Sequence, residues 1–356
     1  MAKVTLITNI PAPYREKVHE LISDHYDNNY NVIYCAEREA NREWKVNYGR
    51  YTKEILNNIN NNAVHNNPDL IKLLNRLNSD IIIIMGFYPT MLYAYLWSVF
   101  KKKKLIIFTD GTLISESHLS IIHKLVRQLV FKKAKAFIGP SKGASELYLS
   151  YGIDHSKFFR TYLCINNNLF FKTPFLEKKY DIMFSGQFID RKLPFFFINV
   201  AILLKKHYGQ CKVLILGSGP LENQIHEQLK LNNIEYNCPG FIHQEELPLY
   251  YSQSKIFLFP TKNDPWGVVA NEAMASGVPV ITCEEAGVSH DLVLHGVNGY
   301  VLPLLEKDWA NKIIELLETP LLYELFSENA IQHVQKYNFT NAAEGIINAI
   351  SSVSKL

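Results

Sequence analysis

Two Rossmann-like α/β domains, each a doubly wound parallel sheet, are predicted by three features of this sequence. Short, unbroken apolar runs recur along it, separated by helix-like segments of about 10–15 residues, the mark of strands buried on both faces. The runs form two series, and between them INNNLFFKTPFLEKKYD (165–181) loses periodicity and gathers Asn, Pro and charge, as a linker does. At 356 residues the chain also exceeds the size at which one core usually keeps growing.

The first series of strands reads KVTLITN (3–9), NVIYCAE (31–37), DIIIIMG (80–86), KLIIFTD (104–110), KAFIGP (135–140) and FFRTYLC (158–164). The second reads YDIMFSGQ (180–187), KVLILG (212–217), IEYNCPG (234–240), KIFLFPT (255–261), VPVITCE (278–284) and GYVLP (299–303). The asparagine-rich NNINNNAVHNN (57–67) reads as a loop, and after about residue 304 the pattern turns wholly helical. A last helix near 339–355 cannot extend a sheet and must pack on something. Ligands of such sheets sit outside the carboxyl ends of the strands, so two facing domains would frame a cleft.

Apolar residues make up 47% and charged residues 20%, as in an ordinary soluble globular protein. Five cysteines without metal-like spacing read as reduced packing thiols, and the chain opens directly in a strand, so a cytoplasmic protein is expected. No run approaches the ~20 apolar residues that span a bilayer. Lys101 to Lys104 and Lys132, Lys133 and Lys135 leave two readings open: cations at helix ends, or a basic face resting on the anionic inner surface of the cytoplasmic membrane. The net charge of +3 does not decide between them, and no nucleic-acid partner is expected.

Three loops of the second series carry candidate ligand chemistry. LGSGPLEN (216–223) turns on Gly217 and Gly219 and is read as opening a helix at Pro220, a plausible anion site, although Glu222 stands where a dinucleotide fingerprint needs its third glycine. In SGQFIDRKLP (185–194), Arg191 and Lys192 arrive just before an apolar helix, whose dipole opposes them, so a bound anion accounts for them better than helix stability. GPSKGAS (139–145) lacks the spacing of a P-loop and reads as a strand end and helix cap.

The third loop is NDPWGVVANEAMASGVPV (263–280). Glu272 lies in a segment otherwise apolar or small, where a carboxylate needs donors, and ligand hydroxyls are natural ones. Asp264, before a proline, suits either a helix cap or a ligand contact. Backbone amides around Trp266, Gly267, Val268 and Val269 would point at negative charge, with Gly267 permitting close approach. Amides and cations for a pyrophosphate, with carboxylates for ribose and sugar hydroxyls, together describe a sugar nucleotide.

The same stretch resembles the acid-x7-acid signature of retaining GT-B glycosyltransferases of family 4 (glycosyl transferases group 1), with Asp264 where the family usually has Glu. The resemblance implies that Glu272 binds the nucleotide ribose, that Asp264 holds the donor sugar, and that Lys192 binds phosphate. GQFIDRK (186–192) is similar to the family's Gly-Arg-x4-Lys element, starting at Gly186 but with Gln187 at the arginine position, so that either Arg191 supplies the second cation or the site manages with one. Gly217 to Pro220 is similar to its G-x-G-P turn, and PGFIHQEELPLYY (239–251), with Ile242, to the segment whose backbone reads the base. In the first half TNIPAPYR (8–15) resembles the opening of one branch. That places Tyr14 and Arg15 on the acceptor side, Arg15 to contact acceptor or donor phosphate, and FTDGT (108–112) sets Asp110 at a strand end facing the same side; the alternatives are a surface cation at the start of a helix over 14–23 for Arg15 and a turn or cap role for Asp110. Domains at 1–170 and 178–336 are implied, the helix at about 339–356 returning to the first.

The function so implied is retaining transfer of a sugar from a UDP- or GDP-sugar to a hydroxyl of a glycan or lipid-linked acceptor in surface polysaccharide or lipopolysaccharide synthesis. No cofactor and no metal are expected, since no D-x-D triplet occurs. Lys192, with Arg191 and helix amides, would meet charge on the leaving diphosphate. An inactive nucleotide-sugar-binding partner or sensor, or a nucleotide-sugar 2-epimerase, are the alternatives.

Overall fold

The computed structural model describes residues 2–39, 44–57 and 64–355; residues 58–63 of the asparagine-rich stretch lie outside it. The chain divides into two compact units. One is the chain up to Cys164 together with Phe339 onward, and the other is Ile165–Asn338.

The first unit runs β1 (Val4–Thr8), α1 (Pro13–His25), β2 (Tyr30–Tyr34), β3 (Thr52–Ile55), α2 (Leu70–Leu77), β4 (Ile81–Met85), α3 (Pro89–Phe100), β5 (Lys104–Phe108), α4 (Ile121–Phe131), β6 (Ala136–Gly139), α5 (Lys142–Ser150) and β7 (Phe158–Arg160). Its seven strands pair in parallel in the order β3-β2-β1-β4-β5-β6-β7. The central strands are the unbroken apolar runs: Ile81 to Ile84 are fully buried because helices cover both faces. Strand β3 escaped the sequence reading because TKEI has no apolar run; it sits at the sheet edge with no residue buried.

The second unit runs β8 (Tyr180–Ser185), α6 (Pro194–Tyr208), β9 (Lys212–Leu216), α7 (Glu222–Leu231), β10 (Glu235–Gly240), α8 (Leu247–Ser252), β11 (Ser254–Phe259), α9 (Val268–Ala275), β12 (Val280–Thr282), β13 (Gly299–Val301), α10 (Glu306–Glu318) and α11 (Pro320–Val334). Its six strands are parallel in the order β10-β9-β8-β11-β12-β13. The stretch 165–179 is docked on this unit. Asn167 donates to the carbonyls of Val334 and Tyr337 at 3.1 and 3.2 Å, and Lys178 to those of Ser252 and Ser254 at 3.0 Å each.

The last helix, α12 (Phe339–Ser354), belongs to the first unit and packs on α1, β6 and β7. Its buried side sets Ala342, Ala343, Gly345 and Ala349 beside Ile346, Ile350 and Val353, and at the glycine the backbones approach closely: a Cβ on Gly345 would stand 2.0 Å from the Arg160 carbonyl. Thr161 Oγ1 donates to the Ala342 carbonyl at 2.8 Å, and Lys104 Nζ to that of Val353 at 2.8 Å. All five cysteines are free thiols. Among the described residues no helix is long and apolar enough to cross a membrane.

Candidate functional site

At the carboxyl ends of β8 and β9 two loops cross in direct contact. Phe188 donates its amide to the Ser218 carbonyl at 2.8 Å, and Leu221 donates to the Phe188 carbonyl at 3.1 Å. Gly217, at φ +134°, has no room for a side chain, since a Cβ would fall 1.9 Å from the Gly186 carbonyl oxygen; one on Gly219 would fall 2.7 Å from that of Phe188. The two glycines are therefore required by chain crossing, whatever binds beside them. Helix α7 begins at Glu222, not at Pro220 as the sequence suggested.

The crossing fixes the course of the chain beyond β8. Gln187 is half-buried, and Arg191 and Lys192 close a 3-10 turn (Asp190–Lys192) that ends at Leu193 in the left-handed conformation before α6 starts at Pro194. The two cations thus precede the helix and are not part of its first turn. They converge on Asp264, which lies beyond β11. Lys192 Nζ pairs with Asp264 Oδ2, and Arg191 Nη1 lies 3.4 Å from the same oxygen and donates to the Asn263 carbonyl at 2.5 Å. Lys192 also stands 5.0 Å over the Phe259 ring.

Asp264 is held as firmly by backbone. Its amide donates to the Glu285 carbonyl at 3.1 Å, its carbonyl accepts from Gly287 at 2.8 Å, and its Oδ1 accepts from the Trp266 amide at 3.1 Å. Burial raises its pKa, but the charge and hydrogen bond of Lys192, then Arg191, then the Trp266 amide outweigh that, and the net shift is downward. Two expectations change. Asp264 does not cap the helix, because α9 starts at Val268 with Gly267 as its N-cap at φ +105°. The Trp266 amide is spent on Asp264, and the Trp266 indole is buried, donating to Asn271 Oδ1 at 2.9 Å. Gly267, Val268 and Val269 are half-buried at the start of α9, and a Cβ on Gly267 would strike the Phe259 ring at 2.3 Å.

Glu272, in the middle of α9, has the opposite environment. It is 7% exposed, no salt bridge among the described residues reaches it, and burial pushes its carboxyl up to about 7, opposed only by Tyr251. The Tyr251 hydroxyl, fully buried on α8, lies against Glu272 and Ser185 but makes no hydrogen bond of good geometry among the described residues. Asn263 Oδ1, next to Asp264, is likewise buried without a partner there. Asp264 is compensated by cations of the protein, whereas Glu272, with the Tyr251 hydroxyl beside it, has no cation to offset its burial. Ile242, beyond β10, is half-buried.

Sequence reasoning did not identify Tyr251, Asn263 or the Glu285–Gly287 loop as parts of this arrangement. A tyrosine in an apolar helix looks like core, and only Gly287, just past a strand, offered a signal.

In the first unit Arg15 is buried, not a surface cation, and α1 begins at Pro13. Its Nη2 lies 3.1 Å from both Oδ1 and Oδ2 of Asp110, just beyond β5, and its guanidinium stands 4.8 Å over the Phe108 ring. Burial lowers the Arg15 pKa, but Asp110 and Tyr14 more than offset it and the net shift is upward. Tyr14 is half-buried, its ring edge-on to Trp44 at 6.2 Å. Among the described residues no group of three or more His, Cys, Asp or Glu is placed to hold a metal ion.

Residues 166–333 match the family model described as glycosyl transferases group 1. The chain is similar to the capsular polysaccharide biosynthesis glycosyltransferase CapM of Staphylococcus aureus, 27% identical over 263 residues, covering 71% of this chain and 62% of CapM. It is also similar to the 2-deoxystreptamine N-acetyl-D-glucosaminyltransferase of Niallia circulans, 30% identical over 127 residues, 35% of this chain and 32% of that enzyme. The chain thus spans 32% to 62% of the length of these curated relatives. Among solved structures, Anabaena HepE in complex with UDP and glucose superposes with a TM-score of 0.76 at 17% identity, covering 99% of this chain and 100% of HepE. Sucrose-phosphate synthase of Thermosynechococcus elongatus gives 0.74 at 16%, covering 99% of each. The chain has the GT-B fold, and within its second unit the similarity to the glycosyl transferases group 1 family covers residues 166–333.

Proposed function

We propose that the chain is a glycosyltransferase that takes a sugar from a nucleotide-sugar, a UDP-sugar first among the candidates and a GDP-sugar second. The acceptor is a hydroxyl of a glycan or lipid-linked glycan in polysaccharide assembly, and transfer proceeds with retention and without metal. The observation that carries the reading is Glu272, buried without a cation eight positions after an Asp264 that is fully compensated, in the unit matched to the family. CapM supports the polysaccharide setting and HepE, solved with UDP, the choice of base.

In this reading ribose hydroxyls donate to Glu272, with Tyr251 at their side. Lys192 and Arg191 meet the negative charge that gathers on the departing diphosphate, a contribution larger in a partly buried site than in water. Asp264 holds Lys192 in place before the donor arrives and then contacts the donor sugar, so its value is orientation. The leaving phosphate takes the acceptor proton on the same face, and no protein base is required.

Thermal unfolding against UDP, GDP, ADP and their common sugars, without added metal, tests this. A nucleotide at ~100 times its Kd stabilises by about 2.7 kcal/mol. One nucleotide series should give that shift. A folded protein that responds to none of them has no donor site, and the reading is lost.

A further inference from the structure

Helix α4 is covered on one side only. Arg127, Val130 and Phe131 face inward, while Ile121, Ile122, Leu125 and Leu129 are 77, 73, 54 and 59% exposed. On α3, Leu96 and Phe100 are 62 and 80% exposed. The two helices are neighbours, since the Tyr95 hydroxyl donates to the Leu129 carbonyl at 3.4 Å and both contribute to one core. Single exposed aliphatics are ordinary on a protein surface; a run of them along one helix and onto the next calls for a partner.

Charge on the same segment is one-sided. From Pro89 to Pro140 there are nine Lys and Arg against two acids, Asp110 and Glu116, in a chain whose net charge is only +3. Both acids are paired, Asp110 with Arg15 and Glu116 with Arg127. Lys101 and Lys102 come directly after α3, and Lys132 and Lys133 directly after α4. Parallel pairing of β5 with β6 brings the two groups to the same end of the strands, where the Lys135 amide donates to the Leu105 carbonyl at 2.8 Å. Lys104 is engaged by the end of α12, but Lys101, Lys102, Lys124, Lys132 and Lys133 are exposed. Helix-end cations account for some of these lysines and for none of the exposed aliphatic side chains.

We propose that this face, α4 with the end of α3, docks on an anionic lipid bilayer. The aliphatic side chains enter the boundary between headgroups and acyl chains, and the lysines are held by acidic headgroups. A second copy of the chain would set like charge against like. Nucleic acid gives no return for four aliphatic side chains on one helix. Lysines, as point charges without the planar fork of arginine, suit a diffuse surface of negative charge.

The full chain is sedimented with vesicles of phosphatidylcholine alone and of phosphatidylcholine with phosphatidylglycerol at about 3:1. Binding to the acidic vesicles, little to the neutral ones, and a decline as salt rises from ~0.1 to ~0.5 M are expected. Ile121→Ser with Leu125→Ser, and separately Lys132→Glu with Lys133→Glu, should each lower binding at least about tenfold. Both variants should unfold at the wild-type temperature, because the altered side chains are exposed. Failure to sediment with acidic vesicles, equal binding to neutral ones, or indifference to both variants overturns the proposal. So does self-association that Ile121→Ser abolishes, which assigns the face to a second copy.

Discussion

Replacing Glu272 by Gln should make the ligand-free protein more stable at neutral pH while weakening its hold on nucleotide. The carboxyl has an ordinary value of 4.5 and is pushed up to about 7 by burial. Between those values the native state keeps a proton that the unfolded chain has released. Stability therefore falls as pH rises through that window, and the full penalty is present above about pH 7. At 1.36 kcal/mol per pH unit the penalty comes to about 3 kcal/mol. Glutamine keeps the volume and can still meet the Tyr251 hydroxyl, but it carries no charge to desolvate. The variant should match wild type near about pH 4 and exceed it by about 3 kcal/mol near pH 8. For a unit of this size that is a rise in Tm of roughly 6–10 °C.

The assay is thermal or urea unfolding of both proteins from about pH 4 to pH 8, with and without UDP. On the proposed reading ribose hydroxyls would stabilise the ionised carboxylate, so wild-type affinity should also decline as pH falls below about 7, a dependence the variant lacks. A stability difference that stays flat across pH, or a variant less stable than wild type at pH 8, would refute the account of Glu272 as an acid left waiting for donors.

Two further outcomes rest on the same geometry. Lys192→Ala should lower kcat by about 100-fold or more with a smaller change in KM, since in the proposed mechanism its charge is needed most as the diphosphate departs; steady-state kinetics near wild-type turnover would remove Lys192 from that role. Gly217→Ala should cost about 3 kcal/mol or more, read as a drop in urea midpoint, because the new Cβ meets the Gly186 carbonyl oxygen and the residue keeps a positive φ.

Features legible in the sequence were those a short window contains. Central strands such as Ile81–Met85 announce themselves because burial on both faces demands an unbroken apolar run. Glu272 stood out for the same local reason, a charge among Val, Ala and Met. Strand β3 did not, because an edge strand of Thr, Lys, Glu and Ile needs only a partner backbone. The pairing of Lys192 with Asp264 joins residues 72 positions apart, and that of Arg15 with Asp110 residues 95 apart. Each residue was singled out from its own loop, but nothing local could show that the charges neutralise one another. Tyr251 did not stand out because its ring satisfies the apolar pattern and only its buried hydroxyl departs from it.

These pairings alter how the acids must be understood. A sequence view gives Asp264 and Glu272 similar standing, two carboxylates flanking a turn. The structure gives them opposite states. Asp264 is held by two cations, a side-chain bond to the Trp266 amide and backbone bonds to the Glu285–Gly287 loop, so its position is set before any ligand arrives. Glu272 has burial without compensation, and its ionised form is costly until donors enter. An acid fixed in advance suits orientation of a reacting sugar, where small displacements matter most. An acid whose charge is relieved by ligand hydroxyls suits recognition, because part of the binding free energy then comes from removing a strain already present in the empty protein. The same strain is what Glu272→Gln should release, so the stability gained by that variant and the affinity it loses share one physical origin.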